Sequence, residues 1–294
     1  MIRKIAFIGA TGMLGQPVAK ELAYSGFDVT ALIRNESKAK ELPAAVHTFK
    51  GNIKNASDLD KLFTGQDAVY LSLNLNLNDR KGAYHAEREG LESILAAAKK
   101  HNLKRIGFVS SLVMKYQGMD GFNWWVFDLK QQAIDRIKAS GIPYTIFYPS
   151  TFMENFDSTY RQGNKIILAG TSRHKMYFVS GEDFGKQVSR SFHILENENR
   201  EYVIQGLEGF TAEEAAEEYI HHYKRETLTI SKAPLKLLKF IGKFSPKINY
   251  GYHIVTALNN YPEKFESEKS WEELGKPTVT LRLFAKHEIN PLGY

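Results

Sequence analysis

Gly9, Gly12 and Gly15 recur at every third position in "KIAFIGATGMLGQPVAKEL", after an apolar run and before a helical pattern. Without a side chain, the first lets a strand turn sharply, the second lets backbone approach a pyrophosphate, and the third lets a helix pack closely on the strand. The phosphate then sits at the helix N-terminus. The loop of Gly9, Thr11, Gly12, Met13, Leu14 and Gly15 is therefore a candidate dinucleotide cradle, with a purely structural turn as the other reading. Thr11 is the expected N-cap, and Pro17 is tolerated if the helix starts near Leu14, because its missing N–H falls in the unbonded first turn. A second charged pattern bears on which dinucleotide is held. In "DVTALIRNESK" the acid, Asp28, is at the amino end, whereas Arg34 stands at the carboxyl end with Lys38 one helical turn later. An acid at that end would hold a ribose 2′-hydroxyl, while a planar guanidinium suits a 2′-phosphate. NADP(H) is expected ahead of NAD(H), and a solvated loop arginine is the alternative.

The elements that must position these residues follow from the alternation of patterns. Strand-like runs "KIAFIG", "DVTALIR", "AVHTFKG", "DAVYLSL", "RIGFVSSL" and "YTIFYPS" are separated by helical stretches such as "ASDLDKLFTG", "YHAEREGLESILAAAKKHN" and "FDLKQQAIDRIKASG". That alternation predicts an α/β, Rossmann-type doubly wound parallel sheet. Gly26, Gly65, Gly141 and Asn102 fall where helix C-caps belong. Residues 1–150 form the expected dinucleotide-binding domain. The remainder, 151–294, crosses back to the sheet at about 176–206 and then builds a small, mostly helical C-terminal substrate lobe. Aromatics at Phe152, Phe156, Tyr160 and Tyr177 are consistent with an apolar pocket there, or with ordinary core packing.

Composition bounds the function. The 294 residues are 43% hydrophobic, enough for a large core, and contain no cysteine, which rules out disulfides, thiolate metal sites and a cysteine nucleophile. No apolar run approaches ~18 residues and the chain enters a strand directly, so a cytoplasmic protein without membrane partners is expected. The net charge of +6 is spread among 33 acidic residues, which argues against direct nucleic-acid binding. His221 and His222 are adjacent and cannot face one metal, no metal-binding spacing occurs, and "EREGLE" and "EEAAEE" read as solvated helix faces. Oligomeric state is not written in the sequence.

The wording "GATGMLG" resembles that of extended and atypical short-chain dehydrogenase/reductases. Together with "FKGNIKNASDLDKLFTGQDAVYLSL", "RIGFVSS", "KQQAIDRIKASGIPYTIFYPSTFMENF" and "VSGEDFGKQVSRSF", in that order, it is similar to the NmrA-like branch up to about Phe192. The resemblance implies that Arg34 takes the 2′-phosphate position. It aligns Gly51 and Asn52 with a Gly-Asp pair beside the adenine, and places Asn74 on a loop lining the cofactor, where the asparagines of "LSLNLNLND" are equally readable as turn formers. It also aligns Ser111, after the fifth strand, and Lys130 with the catalytic serine and lysine, the lysine also holding the ribose; a surface lysine on an amphipathic helix is the other reading of Lys130. The matching tyrosine position is Val126, which cannot donate a proton. Tyr116 is a substitute or a packing residue, and Trp124 and Trp125 are core, rim or nicotinamide platform. "FMEN" marks the crossing into the substrate region, with Phe152 and Asn155 as candidate substrate contacts, or Asn155 as a local backbone bond. The implied function is an NADPH-dependent reductase of a small carbonyl or quinone-like substrate. The alternative is a dinucleotide-binding redox sensor or regulator with a protein partner.

Overall fold

The structure, a computed structural model, describes residues 1–195 and 197–287. Seven parallel strands form one sheet: β1 (Lys4–Ile8), β2 (Asp28–Ile33), β3 (His47–Lys50), β4 (Ala68–Leu71), β5 (Arg105–Val109), β6 (Tyr144–Pro149) and, from the later chain, β10 (Arg200–Ile204). Their spatial order is β10-β6-β5-β4-β1-β2-β3, a Rossmann-type fold. β4 and β5 are buried along their whole length, as expected for a parallel sheet covered on both faces. Even Arg105 is fully buried; it donates to Tyr144 O, Thr145 Oγ1 and Glu198 O at 3.2, 2.9 and 3.0 Å.

On one face α1 (Gly15–Tyr24) and α5 (Gly181–Ile194) bury Val18, Leu22, Phe184, Val188 and Phe192. On the other, α2 (Ala56–Phe63), α3 (Leu91–Lys100) and α4 (Trp125–Ala139) bury Leu59, Phe63, Ile94, Phe127 and Ile134. The predicted helix stops are real: Gly26, Gly65, Gly141 and Asn102 all have positive φ, between 53° and 88°.

The lobe carries more strand than the sequence pattern implies. β7 (Arg161–Gln162), β8 (Lys165–Ala169) and β12 (Thr229–Ala233) form a three-stranded sheet, and β9 (Met176–Tyr177) pairs with β11 (Gly209–Phe210). Around them lie α6 (Ala212–His222), α7 (Leu235–Gly242), α8 (Pro246–Asn260) and α10 (Leu281–Lys286). Phe156 is fully buried and stacks on Tyr219 at 4.8 Å, with Tyr160 packed edge-on. These aromatics belong to the lobe's own core.

From Tyr261 the chain leaves the lobe as an extended strap, and α9 (Glu268–Leu274) returns to the α5 face with Leu274 in its core. Glu263 in the strap accepts from Ser150 Oγ (2.9 Å), Gln205 Nε2 (2.7 Å) and Tyr177 N (3.3 Å). Burial raises its carboxyl above the ordinary range against those hydrogen bonds.

Candidate functional site

The strand order reverses between β1 and β4, and the glycine loop closes that crevice. Gly9 has φ +98°, and a Cβ there would lie 2.1 Å from Ser72 O, at the carboxyl end of β4. A Cβ at Gly15 would meet Gly9 O at 2.1 Å, so helix and strand touch as the spacing requires. Gly12 differs from both. Its Cβ would find only Gly9 O at 3.4 Å and Asn74 Nδ2 at 3.8 Å, so the protein itself has room for a side chain there. The space between the loop and Asn74 is open, and a dinucleotide phosphate there would account for the missing side chain.

Thr11 is not the helix cap. Gly12 N donates to Gly9 O and Gly15 N and Gln16 N to Gly12 O, so tight turns carry the chain to Leu14, which is the N-cap and has no side-chain bond. In contrast Asn55, Ser180 and Thr211 cap α2, α5 and α6 with side chains. Gly12 O thus takes the first two N–H groups of α1 and Pro17 has none, so an anion at this loop would be met by the helix dipole and by loop N–H groups ahead of the helix, and an open glycine loop of this kind fits a pyrophosphate. Met13 is 40% exposed, and its Sδ lies 3.2 Å from Ser158 Oγ, where the loop meets the lobe.

Arg34 and Lys38 are exposed just beyond β2, and among the described residues neither has an ion pair. Asn52 is committed locally: its Oδ1 accepts from Lys54 N at 3.0 Å. The carboxylate absent at position 52 is present nearby in Asp58, whose Oδ2 accepts from Asn52 N at 2.9 Å.

Phe152 is 5% exposed and packs on Phe184 at 5.4 Å, and Asn155 Nδ2 donates to Phe152 O at 3.0 Å. Both therefore shape the crossing between sheet and lobe. Between them Glu154, which sequence reasoning passed over inside "FMEN", accepts from Gly181 N at 2.7 Å at the start of α5. Burial pushes its carboxyl up to about 7, and Oε2 has no partner.

At the far end of the crevice Val126 is 1% exposed on α4 and one turn later Lys130 reaches Glu87 at 2.8 Å. Glu87 is 1% exposed in a π-helical turn (Ala86–Gly90), so the "EREGLE" run is not a solvated face. Only its outer members, such as Glu92 at 58% exposed, keep that character. Burial drives Lys130 toward the neutral form, but the Glu87 carboxylate and Tyr250 outweigh it and hold its pKa above the usual value. Glu87 Oε2 has no hydrogen-bond partner. Tyr250 arrives from α8, its own pKa raised by burial. The signal for Glu87 was present in the apolar helical spacing of "YHAEREGLESIL", but only contact with α4 shows which acid turns inward.

Ser111 is half-buried and precedes a 3₁₀ turn (Leu112–Tyr116), with no side-chain capping bond, while Ser110 is buried and donates to Met114 Sδ. Tyr116 donates to Asp120 Oδ2 at 3.1 Å and packs on Phe122, which makes it a turn residue. Trp124 is 3% exposed and stacks on His253 of α8, while Trp125 packs against His85. A cleft of about 450 Å³ opens beside them, lined by Leu75, Leu77, Trp124, Trp125, Val126, Phe244 and Tyr250. A larger hollow, about 790 Å³ around Met1, Phe27 and His193, lies at the amino ends of β1 and β2, the wrong end of a parallel sheet for a ligand. Among the described residues no cluster of His, Asp and Glu could hold a metal.

Residues 9–190 match the NAD(P)H-binding family. The chain belongs to that family. Among curated relatives it is similar to the photosystem II assembly factor Ycf39 of Trieres chinensis, 24% identical over 259 residues, 86% of this chain and 79% of that protein. It is also similar to the NAD(P)H azoreductase of Xenophilus azovorans, 21% identical over 216 residues, 72% of this chain and 71% of that one. Among solved structures, the NADPH-dependent quinone oxidoreductase QOR2 of Escherichia coli complexed with NADPH superposes with a TM-score of 0.71 at 20% identity. That match covers 97% of this chain and 100% of that chain, and is a likeness of fold.

Proposed function

We propose that this is an NmrA-like, NADP(H)-dependent reductase of activated, quinone-like acceptors. The glycine loop, Asn74, Arg34 and Lys38 would bind the dinucleotide. Its reduced nicotinamide, when bound, supplies a hydride. The observation that carries the choice of acceptor is the buried Val126 with Lys130 tied to Glu87. Lys130 is held as an ammonium in its ion pair with Glu87, and Val126 donates nothing. Lys130 instead serves as a fixed positive charge and a binding group. A quinone fits this site because two-electron reduction leaves an oxyanion that is stable without immediate protonation, and solvent can supply the proton later. Tyr250, at the cleft wall, can donate a hydrogen bond to the acceptor's oxygen. The named quinone oxidoreductase and azoreductase relatives support reduction of conjugated acceptors.

The test is NADPH oxidation with quinones, enones, aldehydes and simple ketones. Turnover is expected with quinones and at least about a hundredfold less with ketones. Tyr250→Phe should raise KM for the quinone more than it lowers kcat. Equal rates on ketones would overturn the reading. A second reading, a dinucleotide sensor with a protein partner, is favoured by the assembly-factor relatives, and tight NADPH binding without turnover on any acceptor would select it.

A further inference from the structure

From Thr227 to Pro262 the chain has no acidic residue and five lysines, at 232, 236, 239, 243 and 247. The overall net charge is only +6, so this segment holds most of the excess. Within it α7 and the turn into α8 are apolar toward water. Leu237, Phe240, Ile241 and Phe244 are 48%, 60%, 37% and 78% exposed, and their spacing of three, four and seven residues makes one stripe. The inner face is engaged: Gly242 is buried, and a Cβ there would lie 3.0 Å from Asn249 Cα of α8. No described residue covers the outer stripe, although Phe240 and Phe244 pack on each other at 5.9 Å. Lys236, Lys239, Lys243 and Lys247 are exposed and have no ion pair among the described residues.

We propose that α7 and the following turn dock on the surface of an anionic lipid bilayer, with Phe240 and Phe244 entering the headgroup boundary. The combination decides the occupant. A basic rim around an aliphatic and aromatic stripe is what an interfacial helix presents, and lysines near a negative leaflet are attracted by its surface potential. A second copy would bring the same lysines together and be repelled. Among the described residues no helix is long and apolar enough to cross a membrane, so this contact is peripheral. Gly242, Lys243 and Phe244 also form the rim of the cleft beside Val126 and Tyr250. Resting on the reductase reading, this orientation opens the cleft toward lipid and makes the acceptor a lipid-soluble one.

Sedimentation with vesicles tests the docking without cofactor or substrate. The protein should bind vesicles of phosphatidylcholine mixed with phosphatidylglycerol, bind phosphatidylcholine alone weakly, and detach as salt rises. Phe240→Ser with Phe244→Ser should weaken partitioning about tenfold or more, because two large apolar groups lose their burial. Lys236→Gln with Lys239→Gln and Lys243→Gln should weaken binding to the anionic vesicles alone. All these side chains are exposed, so Tm should stay within about a degree or two of wild type. Absence of binding to anionic vesicles at low salt would overturn the proposal. So would equal binding by the phenylalanine variant, or a wild-type dimer that this variant splits. NADPH oxidation with a short-chain, water-soluble quinone, measured separately, distinguishes failure of docking from failure of the reductase reading.

Discussion

The two ends of the crevice are built in different ways. At the glycine loop one continuous stretch, residues 9 to 16, makes its own turns through Gly9 O and Gly12 O and starts α1 without a side-chain cap. At the other end three distant segments meet: the turn holding Glu87, α4 with Lys130, and α8 with Tyr250. The first end is built by one local segment and the second by three segments far apart in the chain. The recognition of a dinucleotide is thus local, whereas the surroundings of an acceptor depend on tertiary assembly.

The largest expected effect is at the local end. Gly12→Val fits the protein but fills the ligand's space, so it should abolish dinucleotide binding, by more than about a hundredfold in calorimetric titration, with the circular dichroism spectrum unchanged. Normal binding by a folded variant would remove the loop from the site. At the assembled end, Lys130→Met leaves Glu87 buried without its partner and should cost about 3–5 kcal/mol in denaturant unfolding. Adding Glu87→Leu should recover most of the loss, and no recovery would mean that the two side chains are not coupled.

Glu154 ties the crossing into the lobe to the start of α5 and gives a pH signature. Its folded pKa of about 7 lies above the ordinary 4.5, so its favourable contribution is present below about 4.5 and lost as pH rises through 7. Glu154→Gln should match wild type near pH 5 and be more stable by up to about 3 kcal/mol above pH 8, read from thermal melts across that range. A constant difference across pH would contradict the raised carboxyl. Arg34→Ala should weaken NADPH binding by about ten- to a hundredfold and leave NADH unchanged, as titration of both will show. The smallest effect is at the amino edge of the sheet, away from both ends. Asp67 accepts from Arg3 N, Lys4 N and Lys104 Nζ, and although burial opposes it, these bonds hold its carboxyl down at about 2. Its contribution is present above pH 3.8 and lost as pH falls toward 2. Asp67→Asn should cost about 1 kcal/mol at pH 7 and leave cofactor binding unchanged.

What the sequence made legible divides along the same line. The sheet, its helices and their glycine stops were readable because period and capping act within a few residues. Arg34 stood at the end of its strand for the same reason. Glu87 was hidden inside a charge run, because its partner lies 43 residues on and Tyr250 further still. Thr11 looked like a cap by type, but the turns around Gly12 carry the helix start past it. The basic tract from 227 to 262 was averaged away by acids elsewhere in the chain, and its exposed stripe needed the packing of α7 on α8 to be seen.

The return of the chain from the lobe to the sheet sets an order of assembly during synthesis. β10 is complete at Ile204, but Val203 O receives its bond from Ser267 Oγ, 64 residues later. Asp183 at the start of α5 waits longer for Thr278 N and Val279 N, at 3.1 and 2.9 Å. A nascent chain that has emitted β10 therefore still lacks these donors, and its α5 face lacks Leu274. The sheet is sealed only once the lobe has been threaded out and the strap has come back, so the first half matures as a client of the last.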